Sequence, residues 1–271
     1  MNKRPIVLAI VFMLTAKVFA AAPQLNGRAI MERNEDARRL SDVISNARLT
    51  SGGEGTQKRV KDFTWWRKLQ EGTSLFNTLT RFKKPAEIKD EGILFLEREG
   101  NKNEILMYLP SFKKTRRVES QQQSSAFMGS QLSYSDMATP HAADYQHQLL
   151  RTESCGEGEE NRGVTCYVVE SIPVSDEVRE RTGYSAVTAW IRSDNFMMVR
   201  SDYKNLKGEL FKRMEATDIR VVDSANKKWM AHTLSVKNLK TGHFTSLSFE
   251  KVKANQGIQN SIFTIQNLER P

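Results

Sequence analysis

The chain is 271 residues long, with 41 Lys and Arg against 32 Asp and Glu, a formal charge of +9 and 39% hydrophobic residues. No stretch beyond the first twenty residues offers the roughly 20 apolar positions that a membrane helix needs, which excludes a multi-span helical membrane protein. The basic balance would suit a nucleic-acid partner, but an export signal at the start of the chain argues against one.

That start carries Lys3 and Arg4, an apolar run from Ile6 to Ala16, and then Val18-Phe19-Ala20, a set that a signal peptidase accepts. Residues 1–20 read as a signal peptide cut after Ala20, ahead of one domain over residues 21–271. Cleavage removes Lys3, Arg4 and Lys17 and no acid, leaving 251 residues with a charge near +6. No cysteine follows the apolar run, so no lipid anchor is expected there. The mature chain is predicted to be soluble and exported, in a bacterial periplasm.

Asn26 is a capping residue type ahead of a predicted helix over 27–36, whose apolar positions are Ile30 and Met31. From there the chain alternates in the short-range manner of strands. Strands are predicted over 42–50, 57–69, 73–82, 93–99, 104–109 and 113–119, then over 144–152, 165–173, 185–193, 197–204, 209–221, 228–237 and 244–252. Hairpin-like turns at 70–72, 99–103, 205–208 and 238–242 join neighbours, which makes the pairing antiparallel. Within 228–237, Met230, His232, Leu234 and Val236 share one face, and Trp229, Ala231, Thr233 and Ser235 the other. The run from Ile105 to Leu109 is apolar on both faces and needs cover on both. Predicted helices within 24–39, 123–138 and 258–269 are candidates for that cover. The result is a mainly β (α+β) chain built on a large curved antiparallel sheet. Such a sheet either closes into a barrel or stays open, with a helix or a ligand on its concave face.

Cys155 and Cys166 form an even pair in an exported chain and read as a disulfide around a glycine- and glutamate-rich loop. The alternative is a pair of metal-binding thiolates, with no histidine beside them to complete a set.

Several stretches, taken in order, carry a resemblance. They are Thr80 to Gly92, Ile93 to Leu96, Met107 to Pro110, Arg116-Arg117-Val118, Phe127 to Ser130 and Tyr134-Ser135-Asp136. Together they resemble the bacterial outer-membrane lipoprotein-sorting family of LolA-like periplasmic carriers. The resemblance runs from the short N-terminal helix to Ile262-Phe263-Thr264. That family usually has an Asp after the Gly-Ser pair, where this chain has Gln131. The resemblance implies an open half-barrel with a few short helices over its concave, apolar face. It implies a monomer that binds acyl chains of lipoproteins or lipids and moves them between membranes, with transient membrane contact. An inner-membrane transporter of the resistance-nodulation-division (RND) type, or an outer-membrane acceptor, is the implied protein partner. The alternative is a non-enzymatic docking module whose concavity is filled by its own side chains.

A carrier of this kind binds by apolar area, so its lining is sought among large hydrophobic residues. Trp65, Phe76, Leu94, Leu96, Met107, Phe127, Met128, Trp190 and Met198 are the candidates, each of which also suits ordinary core. Phe127 and Met128 fall in the segment expected to form a lid or plug, with Gly129 allowing a turn. Arg116 and Arg117 are candidates for a polar rim, and adjacent strand residues face opposite ways, so at most one points inward.

Other chemistries lack their signatures. His141, Asp144 and His147 are spaced for a shared helix face, but Pro140 and a predicted strand start break that face. The sharp-turn serine motif of hydrolases, phosphate loops and dinucleotide fingerprints do not occur. The expectation is a protein that is not an enzyme, with no catalytic residue, metal or cofactor assigned.

Overall fold

The computed structural model describes residues 25–99, 103–156 and 158–271, and the predicted signal peptide lies outside them. Thirteen strands form one antiparallel sheet. They are β1 (Asp42–Gly52), β2 (Arg59–Leu69), β3 (Phe76–Lys84), β4 (Gly92–Leu96), β5 (Glu104–Leu109), β6 (Lys114–Arg117), β7 (Tyr145–Ser154), β8 (Thr165–Pro173), β9 (Ala186–Arg192), β10 (Met198–Lys204), β11 (Leu210–Asp223), β12 (Lys228–Asn238) and β13 (Phe244–Ala254). Across the sheet they run β6-β5-β4-β3-β2-β1-β13-β12-β11-β10-β9-β8-β7. The chain therefore meanders outward from the middle to one edge, crosses to the other edge and meanders back. The first and last strands pair, with Val43 opposite Ala254 and Gly52 opposite Phe244.

The sheet is not closed, since β6 and β7 are left as its two edges. It is curved, because side chains from β2 and from β9 to β11 line the same cavity although several strands separate them. This is the open half-barrel, mainly β, that the sequence led us to expect. Among the described residues, no helix is long and apolar enough to cross a membrane.

Strict alternation sets the two faces. In β4, Ile93 and Phe95 join Val43, Phe63, Phe82 and Ile105 in the inner-face core. Leu94 and Leu96 point outward to join Leu79 and Tyr108. Ala47 sits opposite Phe63 on one side and Phe249 on the other, so the smallest side chain stands between two large ones.

Helix α1 (Gly27–Ala37) starts as predicted, with the Asn26 side chain accepting from the Ala29 amide at 2.9 Å. It packs on the inner face, where Ile30 is buried against Val169, Ala189 and Ile191. A Cβ at Gly27 would stand 2.8 Å from the backbone at His147 and Leu149, so only glycine permits this approach.

The other predicted helices are shorter than expected. Within 123–138 only α2 (Tyr134–Met137) is α-helical, because Met128 and Gly129 turn left-handed and Ser133 opens a new capped turn. Within 258–269 a turn at Asn260–Phe263 ends at Thr264, whose side chain caps α4 (Ile265–Leu268). This C-terminal pair covers the outer face, with Phe263 and Leu268 against Leu79, Leu94 and Leu96. Between α2 and α4 in the chain lies α3 (Asp176–Thr182), capped by Ser175 and ended by the left-handed Gly183.

Cys155 and Cys166 are disulfide-bonded with Cα atoms 4.9 Å apart, which ties the end of β7 to the start of β8. A loop of this length is worth about 3 kcal/mol of unfolded-state entropy. Such a bond fits an extracytoplasmic location.

Candidate functional site

Residues 118–144 carry the chain across the inner face from the β6 edge to the β7 edge. The middle of this crossing segment is a hairpin. Phe127 N donates to Leu132 O at 2.7 Å, Tyr134 N to Ser125 O at 3.1 Å and Ser135 N to Gln123 O at 2.8 Å. The tip turns through Met128 and Gly129, at φ 49° and 71°, and glycine takes this backbone without strain. The tip is tied to β13 by the Gln131 amide, which donates to Thr245 Oγ1 at 2.9 Å.

Phe127 is fully buried under this tip. Its ring lies 6.3 Å from Phe82, 6.5 Å from Phe95 and 5.6 Å, edge-on, from Tyr134. The crossing segment thus fills the part of the inner face around Phe82 and Phe95 with its own phenyl ring.

Beside this core the inner face encloses a hollow. A cavity of about 300 Å³ lies between α1, the stretch from Leu132 onward, and the inner faces of β1 to β3 and β7 to β13. Small-molecule sites begin at about this size. Ile191, Met198, Met214, Leu234, Leu247 and Trp65 line its apolar wall. Methionine adapts to irregular shapes, and each methylene moved from water onto such a wall gains about 0.8 kcal/mol.

Buried ion pairs fasten the crossing segment around the hollow. Asp136 closes the capping box of α2, accepting from Ser133 N at 2.7 Å, and also pairs with Lys212 Nζ at 2.6 Å. Tyr184 donates its hydroxyl to the same carboxylate at 2.8 Å. Arg181 of α3 holds Asp144 at 3.1 Å.

Between these two points His141 bridges two acids, with Nδ1 3.5 Å from Glu35 of α1 and Nε2 3.3 Å from Glu97 beyond β4. Glu97 also accepts from the amides of Phe76, at 2.7 Å, and Thr139, at 3.0 Å. Burial by itself would lower the His141 pKa, but the hydrogen bonds and charges of Glu35 and Glu97 raise it to about 9. Burial opposes ionisation of Glu35, yet His141, the Ala142 amide and Arg39 bring its pKa to about 2. The same contest, with His141, Arg67 and Thr139 prevailing over burial, lowers Glu97. At neutral pH the bridge is therefore a cation between two anions.

The structure distributes the predicted site residues over both faces. Trp65, Phe76 and Met198 stand on the cavity wall. Met107 and Phe127 belong to the filled core, and Met128 packs against it half-buried. Leu94 and Leu96 are not on this wall, because the alternation of β4 turns them outward beneath the C-terminal turns. Trp190 is also on the outer face, packed with Cys166, Val168 and Val199, its indole donating to Glu153 at 2.6 Å. Arg116 is aligned with Met107 on the inner side, while Arg117 lies on the outer side and pairs with Glu104 at 3.3 Å.

His141, Asp144 and His147 all reach the cavity, but each already has protein partners, and the described residues contain no metal-binding cluster. Sequence reasoning passed over Arg38 and Arg67, two cations that also line the cavity. The available signal was Arg67 on the inward register of β2, two residues from Trp65.

Residues 76–270 match the model of a family described as "Uncharacterized protein". No curated protein matches the chain. Among solved structures, a domain from Vibrio parahaemolyticus described as an outer membrane lipoprotein-sorting protein is 22% identical, with a TM-score of 0.81 over 90% of this chain and 98% of that one. A DUF1329 family protein from Desulfovibrio piger is also 22% identical, with a TM-score of 0.81 over 89% of this chain and 97% of that one. A LolA superfamily protein from Nitrosomonas europaea is 20% identical, with a TM-score of 0.69 over 90% of this chain and 100% of that one. The chain belongs to the family whose model spans its residues 76–270, and its fold is that of the LolA-like lipoprotein-sorting structures.

Proposed function

We propose that this protein is a non-enzymatic periplasmic carrier that shelters the acyl chain of a lipid or lipoprotein in the hollow of its half-barrel and moves it between membranes. The observation that carries this reading is the Met- and aromatic-lined cavity left open on the inner face of a LolA-like fold. The predicted signal peptide and the Cys155–Cys166 bond support an exported location. Phe127 is not among the residues that line the hollow, so on this reading the guest lies beside the phenyl ring rather than in its place. An inner-membrane transporter of the RND type, or an outer-membrane acceptor, is the proposed partner in handover.

The test is extraction of the purified protein with organic solvent, mass spectrometry of what is released, and uptake of added phospholipid or lipopeptide. Bound phospholipid or fatty acid, or stoichiometric uptake, is expected. A clean extract with no uptake would overturn the carrier reading. It would favour a docking module instead, a reading supported by the ion pairs that fasten the crossing segment.

A further inference from the structure

Arg38, the C-cap of α1, and Arg67, on β2, bring two guanidinium groups to the cavity. Arg67 stacks on Phe76, its Cζ 3.8 Å from the ring centre, and its Nη2 donates to Thr139 Oγ1 at 2.7 Å. Its Nε is buried with no hydrogen-bond partner among the described residues. Arg38 donates from Nε to the Asn34 carbonyl at 3.2 Å.

The nearby carboxylates already have cations: Glu35 has Arg39, Glu97 has His141, Asp136 has Lys212 and Asp144 has Arg181. Among the described residues, neither Arg38 nor Arg67 lies within ion-pair distance of an acid, so these two are the cationic surplus of the site. Burial draws the Arg67 pKa down to about 10, opposed by Glu97 and helped by Arg38, which leaves the group charged at neutral pH. Buried charges are as a rule paired. The planar fork of arginine matches a carboxylate or a phosphate.

We propose that Arg38 and Arg67 hold the anionic head, carboxylate or phosphate, of an amphiphile whose tail lies along the Ile191, Met198 and Met214 wall. This inference rests on the carrier reading and specifies its class of guest. A neutral head would leave both guanidinium groups desolvated without an anion, so the site discriminates by charge as well as by apolar area.

Titration of the purified protein with palmitate, palmitoyl-lysophosphatidylglycerol and hexadecanol tests it. At least one anionic ligand is expected to bind about tenfold or more tightly than hexadecanol, and palmitate against the lysophospholipid separates a carboxylate from a phosphate head. In the double variant Arg38→Gln, Arg67→Gln the preference is expected to collapse, with all three ligands within about threefold of one another. Equal binding of all three by the unaltered protein would overturn the head-group assignment while leaving the carrier reading intact. Binding of none would overturn both. A preference that survives in a double variant with an unaltered circular-dichroism spectrum would also overturn the assignment. The ligand comparison on the unaltered protein decides the matter even where the variant folds poorly.

Discussion

The two regions of the inner face start from similar strands and end differently. Where β2 to β4 pass under the hairpin tip, Phe63, Phe82 and Phe95 pack in one core with Phe127, whose ring fills the space between them and the tip. Where β9 to β13 lie, Ala189 and Ala216 take positions on the wall beside Met198 and Met214, and the crossing segment passes over them without inserting a side chain of that size. Small residues under a fastened strap leave a cavity, and large residues under a hairpin tip leave a core. The difference teaches that the buried phenyl of Phe127 is structure and that the proposed guest space lies next to it.

If the comparison is right, Phe127→Ala damages stability rather than capacity. Loss of a fully buried ring costs about 3–5 kcal/mol, and urea unfolding should register it while the proposed acyl site beside it keeps its wall. A loss under about 1 kcal/mol would mean that the ring is a loosely held stopper.

Next in size is the fastening. Lys212→Met leaves the Asp136 carboxylate buried without its cation, and breaking a buried pair in this way costs about 3 kcal/mol. Chemical denaturation of the variant checks this. A neutral outcome would detach the ion pair from the account of the strap.

Smaller again is the pH dependence of the His141 bridge. His141 is raised from 6.5 to about 9, so its contribution is complete below pH 6.5 and is lost as the pH rises through about 9. Glu35 is lowered from 4.5 to about 2, so its contribution holds above pH 4.5 and is lost as the pH falls toward 2. Unfolding free energy should therefore drop by on the order of 1–2 kcal/mol between pH 6.5 and 9.5. In His141→Gln that drop should be absent, and a drop of the same size in the variant would assign it to other groups.

The smallest expected effect on stability comes from Ala216→Phe, which places a ring in open space. Stability should fall by only about 1 kcal/mol, the low end for added volume, because the hollow takes the ring, while uptake of an acyl ligand falls because the hollow is occupied. Undiminished uptake would place the guest elsewhere.

Much of the sheet was legible, because alternation and short turns leave a direct trace. The 93–99 prediction overran by three residues, since Glu97 leaves the strand to accept from Phe76 and Thr139. Helix α3 went unpredicted although Ser175, two acids in its first turn and Gly183 mark both of its ends. Its brevity denied it an apolar period.

The site was legible only in kind. β4 reads Gly-Ile-Leu-Phe-Leu, apolar on both faces because Phe127 covers one and Phe263 and Leu268 the other, so no local pattern distinguishes Phe95 from Leu96. The hollow itself depends on residues far apart in the chain, such as Trp65 and Phe249 with ring centres 5.2 Å apart.

The central claim is that an acyl guest occupies the hollow region and not the space around Phe127. A diazirine-bearing palmitate, photolysed on the purified protein and mapped by peptide mass spectrometry, tests it directly. The account predicts labels on peptides containing Ile191, Met198 or Met214. Labels concentrated on the peptide of Phe127, or on the outer-face peptides of Leu94 and Phe263, would contradict it.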